Sequence, residues 1–210
     1  MKYTILEDAS PYFIRYKHQQ ISNLVAVCID KIPLKKFQYG FKHLRMKTTD
    51  AVNILKYVPE NDMIDLNLNR VSLFITEPGK YYGAHKDGYP KTMFSINYPI
   101  LIQDNLCVTS WYDDEEINRY NYVVNRNASE NAGLGSENAN SREIQNFIKE
   151  RHIPSKTMIA NLGEGILFNT DIYHDWDNRE SKNRRVVLTL RYHKPHLMSF
   201  KDAKKILFGL

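Results

Sequence analysis

Short apolar runs bounded by turn residues dominate the chain from about residue 62 onward. The strand candidates are 63–68, 71–76, 81–85, 92–102, 106–112, 157–161, 165–170 and 185–193, with Glu77-Pro78-Gly79-Lys80 as a turn. Strands of this length and spacing are typical of a sandwich or barrel. We therefore predict a mainly β fold, a double-stranded β-helix (a jelly roll of the cupin type), with flanking helices.

Helical patterns lie near both ends of the chain. Apolar residues recur at close to helical spacing in 19–32. A second helix is predicted to begin at Thr48-Thr49-Asp50 and to end before Pro59. A short C-terminal helix is predicted in 199–210, with its apolar side toward the protein body. We expect these helices to pack on the outside of a sheet.

A segment from about 113 to 156 interrupts the strand pattern. It opens with four acidic residues, and 125–141 is rich in Asn, Ser, Gly and Glu, whereas 141–148 has a helical pattern with Ser141 as a candidate cap. Long loops of this kind are commonly lids, binding loops or disordered segments. Two interpretations stay open, a substrate lid and an insertion with no role. We predict one jelly-roll domain over 1–210 with this insertion, because a single core commonly reaches that length.

Composition and charge narrow the classes of partner. The chain is 42% hydrophobic and 12% aromatic, as in an ordinary globular protein. A net charge of +5 permits nucleic-acid binding, but the basic residues are scattered among acidic ones and no base-stacking motif is present, so a solvated surface is the preferred interpretation. Two cysteines are too few for a disulfide framework. With neither a signal-like start nor an apolar run of membrane length, we predict a cytoplasmic protein without a membrane partner.

Candidate chemistry begins with His85 and Asp87. Successive side chains alternate faces in a strand, so these two residues project to the same side and can touch one ion. His174, far downstream, is the candidate third ligand. Two imidazoles and a carboxylate suit Fe(II) with positions open for other reactants, whereas a closed structural zinc site uses four protein ligands, usually with thiolates. His85, Asp87 and His174 are therefore the predicted iron ligands.

The neighbouring residues help to separate this site from a chance His-x-Asp pair. Gly83 and Gly88 flank the pair and allow the backbone to turn and to approach closely. His174 follows 163–170, a turn and a strand that is predicted to be buried and that would hold the imidazole rigidly. The isolated histidines His18 and His43 lie in polar surroundings and gain no such support.

The last predicted strand has two different faces. With a period of two, one face carries Arg185, Val187, Thr189 and Arg191, and the other carries Val186, Leu188, Leu190 and Tyr192. Because the apolar face is expected to pack under the outer helices, Arg185 is expected to point into the barrel. A buried guanidinium requires an anionic partner and matches a carboxylate with two parallel hydrogen bonds. The strand therefore predicts a dicarboxylic cosubstrate.

Two earlier strands carry weaker signals. Ser95 and Asn97 lie opposite an apolar face, so they either line a cavity beside the metal or face solvent. In the next strand, Cys107, Thr109 and Trp111 are the predicted interior residues.

The combined order of these residues resembles a known family. His85-Lys86-Asp87, then His174, then Arg185 followed by Val-Val-Leu-Thr-Leu-Arg-Tyr is similar to the 2-oxoglutarate/Fe(II)-dependent dioxygenases, in particular their prolyl and aspartyl/asparaginyl hydroxylase branches. The stretch 77–84 before the motif is also similar. The resemblance covers roughly 71–112 and 161–192 and leaves out the N-terminal part and the insertion.

This resemblance implies a set of site residues. His85, Asp87 and His174 would form the catalytic centre and ligate Fe(II). An arginine about ten residues after His174 would bind the distal carboxylate of 2-oxoglutarate. Arg184 has that spacing, but Arg185 has the inward face and the matching residues behind it, so we expect Arg185.

The resemblance also implies a reaction. Asn97 and Thr189 would contact the cosubstrate, and the protein would hydroxylate a peptide side chain or a small metabolite with dioxygen, releasing succinate and CO2. One alternative is a cupin-like metal-binding protein or isomerase with the same ligands and no 2-oxoglutarate, and another is a nucleic-acid-directed oxygenase. Arg185 favours the first interpretation over the cupin-like one, since a barrel without an acidic cosubstrate needs no buried cation there. The pattern indicates no particular substrate or oligomeric state.

Overall fold

The chain folds into two antiparallel β-sheets with helices on their outer faces, as seen in a computed structural model that describes residues 3–33, 35, 41–87, 93–113, 115–117, 119, 142–192 and 198–210. The strands are β1 (Thr4–Ala9), β2 (Phe13–Lys17), β3 (Phe41–Arg45), β4 (Ser72–Thr76), β5 (Lys80–His85), β6 (Phe94–Leu101), β7 (Val108–Tyr112), β8 (Lys156–Ile159), β9 (Gly165–Asn169), β10 (Tyr173–Asn178) and β11 (Arg185–Leu190). The helices are α1 (Ile21–Ile29), α2 (Thr48–Leu55), α3 (Arg142–Arg151) and α4 (Phe200–Phe208), with short 3-10 helices at Pro59–Asp62 and Leu68–Arg70.

The order of the strands is that of a double-stranded β-helix. The larger sheet has the order β1-β2-β9-β6-β11-β4-β3, and the smaller sheet has the order β5-β10-β7-β8. From β4 to β11 the chain passes back and forth between the two sheets, so that each sheet receives four of these eight strands. The predicted mainly β jelly roll with flanking helices is confirmed.

The outer face of the larger sheet carries the main apolar core. Val186, Leu188 and Leu190 of β11 lie in one cluster with buried residues of α1, α2 and α4. The opposite face of β11 therefore points toward the smaller sheet, as the period-two pattern predicted. Helix α4 begins with a capping box between Ser199 and Asp202, which satisfies free backbone amides of its first turn.

The helices predicted in the N-terminal part and at the C-terminus are confirmed, but one strand prediction is wrong. Residues 63–68 form no strand, and only an isolated bridge pairs Leu66 with Tyr192. The segment connects the two 3-10 helices. The Asn67 side chain accepts a hydrogen bond from the Asn69 amide and thereby caps the start of the second 3-10 helix. Local turn chemistry therefore outweighs the strand propensity of the apolar residues.

Four strands escaped prediction, and they matter for the site. β1, β2 and β3 extend the larger sheet at its two edges, and β10 lies between β5 and β7. His174, expected only to follow a strand, belongs to a strand of its own, β10.

Most of the predicted insertion, 114, 118 and 120–141, lies outside the described residues, as does the candidate cap Ser141. The helix predicted there is confirmed as α3. Its Ile144, Phe147 and Ile148 form a buried cluster with Ala84 and Tyr173 on the outer face of the smaller sheet. The single domain with an insertion stays a prediction. Among the helices that the structure describes, none has the length and apolarity needed to cross a membrane.

Candidate metal centre

The three predicted ligands lie together between the two sheets. His85 of β5 and His174 of β10 are direct partners across the smaller sheet. Asp87 follows β5, and its backbone amide donates a hydrogen bond to the Thr170 carbonyl at 3.2 Å. One ligand atom from each of the three side chains lies within 4.8 Å of the others. This geometry offers three donor atoms to one ion, and their role as ligands stays a prediction.

A β-bulge in β5 orients the side chains of this strand toward the three ligand candidates. His85 pairs with His174 but Tyr82 pairs with Trp176, so Gly83 and Ala84 together oppose the single residue Asp175. Bulges of this kind re-aim side chains and are common beside active sites. The bulge places both Tyr82 and His85 on the inner face, with their rings 4.5 Å apart. A regular strand would have placed them on opposite faces.

Both imidazoles are oriented by backbone carbonyls. His85 Nδ1 lies 2.9 Å from the Gly83 carbonyl oxygen, and His174 Nδ1 lies 2.8 Å from that of Ile172. A carbonyl only accepts, so Nδ1 carries the proton and the Nε2 lone pair is available in each ring. His174 Nε2 is buried and has no hydrogen-bond partner among the described residues. An orphaned imidazole nitrogen with its other nitrogen held by a carbonyl is what a metal ligand requires.

The protonation states also suit a cation. Burial lowers the pKa of His85 below its usual value and lowers the pKa of His174 to about 3, so both rings are neutral near pH 7. Burial alone would raise the pKa of Asp87, but the charge and hydrogen bond of Arg191, together with the two nearby imidazoles, outweigh burial and hold this pKa below its usual value. Arg191 Nη2 donates to Asp87 Oδ2 at 2.9 Å, while Asp87 Oδ1 lies 3.8 Å from His85 Nε2. The centre therefore carries an ionised carboxylate and two neutral imidazoles.

A cavity of about 100 Å³ adjoins these side chains. Its apolar wall consists of the aromatic residues Phe74, Tyr82, Phe168 and Trp176. Its polar wall includes Ser95, Asn97 and Thr189, so Ser95 and Asn97 take the cavity-lining one of the two orientations left open for them, and Asn97 Oδ1 is buried without a partner in the described part of the chain. Contact of Asn97 and Thr189 with a cosubstrate stays a prediction.

The two candidate arginines occupy different environments. Arg184 donates to both carboxylate oxygens of Glu77, at 3.2 and 2.8 Å, and to the Pro33 carbonyl at 2.6 Å. Arg185 is only 5% exposed, opposite Thr76, and has no hydrogen-bond or ion-pair partner among the residues the structure describes. An unpaired buried cation is costly, so this environment favours Arg185 over Arg184 as an anion site. Arg185 is not among the described residues that line the 100 Å³ cavity.

Trp111, a predicted interior residue, is fully buried in a cluster with Phe13 and Phe168, and it is not among the described residues that line the cavity. Gly88, expected to flank the motif, lies outside the described residues. His43, which was set aside for its polar surroundings, lines the cavity from β3. It was missed because β3 is an edge strand without a clear alternating pattern, so the sequence provided no face on which to place it.

Solved structures share this fold, although no protein-family model and no curated protein matches the sequence. The chain is similar to HygX from Streptomyces hygroscopicus, solved with nickel and 2-oxoglutarate bound, at 9% identity and a TM-score of 0.53 over 88% of this chain and 83% of that one. HygX with hygromycin B also bound gives a TM-score of 0.54 at 10% identity over the same shares of the two chains. A 2OG-Fe(II) oxygenase family oxidoreductase from Burkholderia pseudomallei gives 0.53 at 11% identity over 86% and 80%. At these identities the likeness is one of fold, and the fold is that of the 2-oxoglutarate/Fe(II) oxygenases, as the sequence motifs indicated.

Proposed function

We propose that this protein is an Fe(II)- and 2-oxoglutarate-dependent dioxygenase that hydroxylates a small molecule or a peptide side chain. The observation that carries the proposal is the convergence of His85, Asp87 and His174, with the buried Nε2 of His174 left without a partner among the described residues. The likeness in fold to oxygenases, one of which was solved with nickel and 2-oxoglutarate, supports it. His85, Asp87 and His174 would ligate Fe(II), and they fit it because neutral imidazoles and a carboxylate are suitable ligands.

The iron and the cosubstrate would supply the oxidation itself, in which dioxygen, 2-oxoglutarate and a substrate C–H bond give succinate, CO2 and an alcohol. The residues of the chain prepare this chemistry. The Gly83 and Ile172 carbonyls orient the two rings, and Arg191 donates a hydrogen bond to Asp87 Oδ2 that favours the ionised carboxylate. The aromatic wall presents an apolar surface to the cavity beside these polar groups.

Arg185 would bind the distal carboxylate of 2-oxoglutarate. Its burial and its lack of a partner among the described residues support this assignment, and Arg184 is already bonded to Glu77. Asn97 and Thr189 would provide polar contacts to the cosubstrate from the cavity wall. We also propose a reduced, cytoplasmic setting, because the only two cysteines are buried and free.

Anaerobic Fe(II) titration with and without 2-oxoglutarate tests this function. We expect the weak visible charge-transfer band of the chelate in the wild-type protein. Arg185→Gln should require at least about tenfold more 2-oxoglutarate to give the same band, because a charge-assisted bidentate contact is lost. Lys182→Gln removes one exposed positive charge three residues away and should leave the titration unchanged.

The outcomes separate the two leading interpretations. A properly metallated protein without the band would exclude the dioxygenase and favour the cupin-like metal protein or isomerase. An unchanged titration in Arg185→Gln would remove Arg185 from the site while leaving the metal centre in place.

A further inference from the structure

A second cavity, of about 320 Å³, opens directly beside the metal cavity. The two cavities share His43 and Arg191 in their linings. The other lining residues of this outer cavity are Arg45, Asn69, Arg70 and Ser72. A molecule in the outer cavity therefore lies against the same two side chains as a molecule at the metal.

The sheet explains why the outer cavity leads to the metal. Arg45 of β3 pairs with Ser72 of β4, and Ser72 pairs with Thr189 of β11, which in turn pairs with Asn97 of β6. Direct cross-strand partners project to the same face of a sheet. One row of side chains thus runs from the exposed Arg45 to the polar wall of the metal cavity.

Arg70 reaches the same place from a different element. It ends the 3-10 helix that precedes β4. The Asn67 amide donates a hydrogen bond to the Arg191 carbonyl at 2.8 Å, which fastens the start of this helix to the end of β11. Three arginines from three segments therefore converge on one cavity.

The charge of the outer cavity is positive and only partly compensated. Its described lining contains no carboxylate. Arg191 is bonded to Asp87, but the side chains of Arg45 and Arg70 have no hydrogen-bond or ion-pair partner within the described part of the chain. A divalent ion beside a single carboxylate would add further positive charge, so the opening attracts anions.

We propose that the outer cavity binds an oxyanion of the substrate, a phosphate or a carboxylate group, through Arg45 and Arg70. The substrate is then an anionic molecule whose reacting C–H bond extends past His43 and Arg191 into the metal cavity. Planar guanidinium groups match phosphate and carboxylate oxygens with paired hydrogen bonds. This inference rests on the proposed function for the reaction, and it assigns the substrate anion and the cosubstrate carboxylate to different arginines.

Isothermal titration calorimetry on the metal-free protein tests the site without any turnover. Inorganic phosphate and acetate are the two probes, at low ionic strength. We expect saturable binding that weakens by about tenfold or more in the double variant Arg45→Gln/Arg70→Gln, because two charge-assisted contacts are lost. It should also weaken as salt is raised, since exposed charges are screened.

The matched control is Lys17→Gln/Lys201→Gln, which removes two exposed positive charges from β2 and α4. Circular dichroism of all variants checks that the fold is intact. Stronger binding of phosphate than of acetate would support a phosphate-bearing substrate, and similar binding of both would support a carboxylate-bearing one. No saturable binding of either probe, or equal affinity in the double variant and the control, would overturn the proposal.

The two proposals fail separately. Loss of anion binding leaves the chelate band of iron and 2-oxoglutarate untouched, because that band reports on His85, Asp87, His174 and Arg185. Absence of the band leaves the calorimetric result valid, because the calorimetry uses metal-free protein.

Discussion

Two carboxyl groups of this protein, one buried and one partly buried, have opposite electrostatic environments. Glu60 is fully buried, its Oε2 accepts a hydrogen bond from the Tyr98 hydroxyl at 2.6 Å, and burial raises its pKa. Asp87 lies beside Arg191, which holds its pKa below the usual value. The first carboxyl tends toward its neutral form and the second is ionised.

Both carboxyls also have histidines nearby, yet the polar atoms point in different directions. The Tyr98 hydroxyl that bonds Glu60 Oε2 also lies 3.0 Å from His18 Nε2, so one tyrosine links the carboxyl and the imidazole, while Glu60 Oε1 has no hydrogen-bond partner among the described residues. At the metal centre the imidazole rings are tied to carbonyls through Nδ1, and their Nε2 atoms remain available. A carboxyl group near a buried imidazole is therefore a candidate metal site only where the free lone pairs of the carboxylate and of the imidazole nitrogen point toward one common position.

The largest effects are expected from removing Asp87 at the candidate metal site and the Tyr98 hydroxyl in the Glu60 cluster, because the first should change metal affinity and the second only stability. Asp87→Ala should lower Fe(II) affinity by at least about a hundredfold, because an anionic ligand is lost and its partner Arg191 is left beside the ion. In the wild-type protein, metal at a hundred times its dissociation constant should raise Tm by roughly 5–10 °C, and this rise should vanish in Asp87→Ala. Metal retention after desalting and thermal melts measure both.

Tyr98→Phe is the counterpart in the Glu60 cluster. It leaves buried polar atoms of Glu60 and His18 without a partner, so the free energy of unfolding should fall by about 1–3 kcal/mol. The rise of Tm with metal should persist. If the rise of Tm with metal were lost in Tyr98→Phe, or kept in Asp87→Ala, the Glu60 cluster and the metal site would not be separate.

Arg191 is predicted to position Asp87 rather than to bind the ion. Arg191→Gln should weaken metal affinity by about 10–100-fold, as is usual for a group that hydrogen-bonds a ligand. The pKa of Asp87 should rise toward its ordinary value, so the pH at which metal is released should move upward. Measuring metal release as a function of pH separates this role from a purely structural one, which would lower Tm without moving that midpoint.

The smallest expected effect is a pH dependence of the Glu60 cluster. Burial lowers the pKa of His18 to about 4, below the ordinary histidine value of 6.5. Between these values the unfolded chain binds a proton that the folded protein does not, so this contribution to stability is lost as pH falls from about 6.5 to 4. Metal-free His18→Gln should therefore lose less stability over this window than the wild-type protein. Urea melts at several pH values would measure the difference, and parallel losses in the two proteins would refute it.

The spacing of apolar residues along the sequence predicted those strands and helices in which apolar and polar positions alternate regularly. The alternation in 185–191 is strict enough to orient Arg185 and Thr189, and the helical spacing of the apolar residues in 199–210 is local, so both were readable from the sequence. The bulge at Gly83 and Ala84 was not readable, because its register depends on the partner strand β10. His43 was missed for the same reason, since a face of an edge strand is defined only by pairing with β4.

The packing of α3 connects the helix of the predicted insertion to the two strands that carry the candidate histidine ligands. Ala84 precedes His85 and Tyr173 precedes His174, and both of these preceding residues are buried under α3. At Gly83 a methyl group would come within 2.9 Å of Gln145 Oε1, so helix and bulge are already in close approach. Helix α3, which lies about sixty residues after His85 in the sequence, therefore packs against the outer face of both strands that carry the imidazoles.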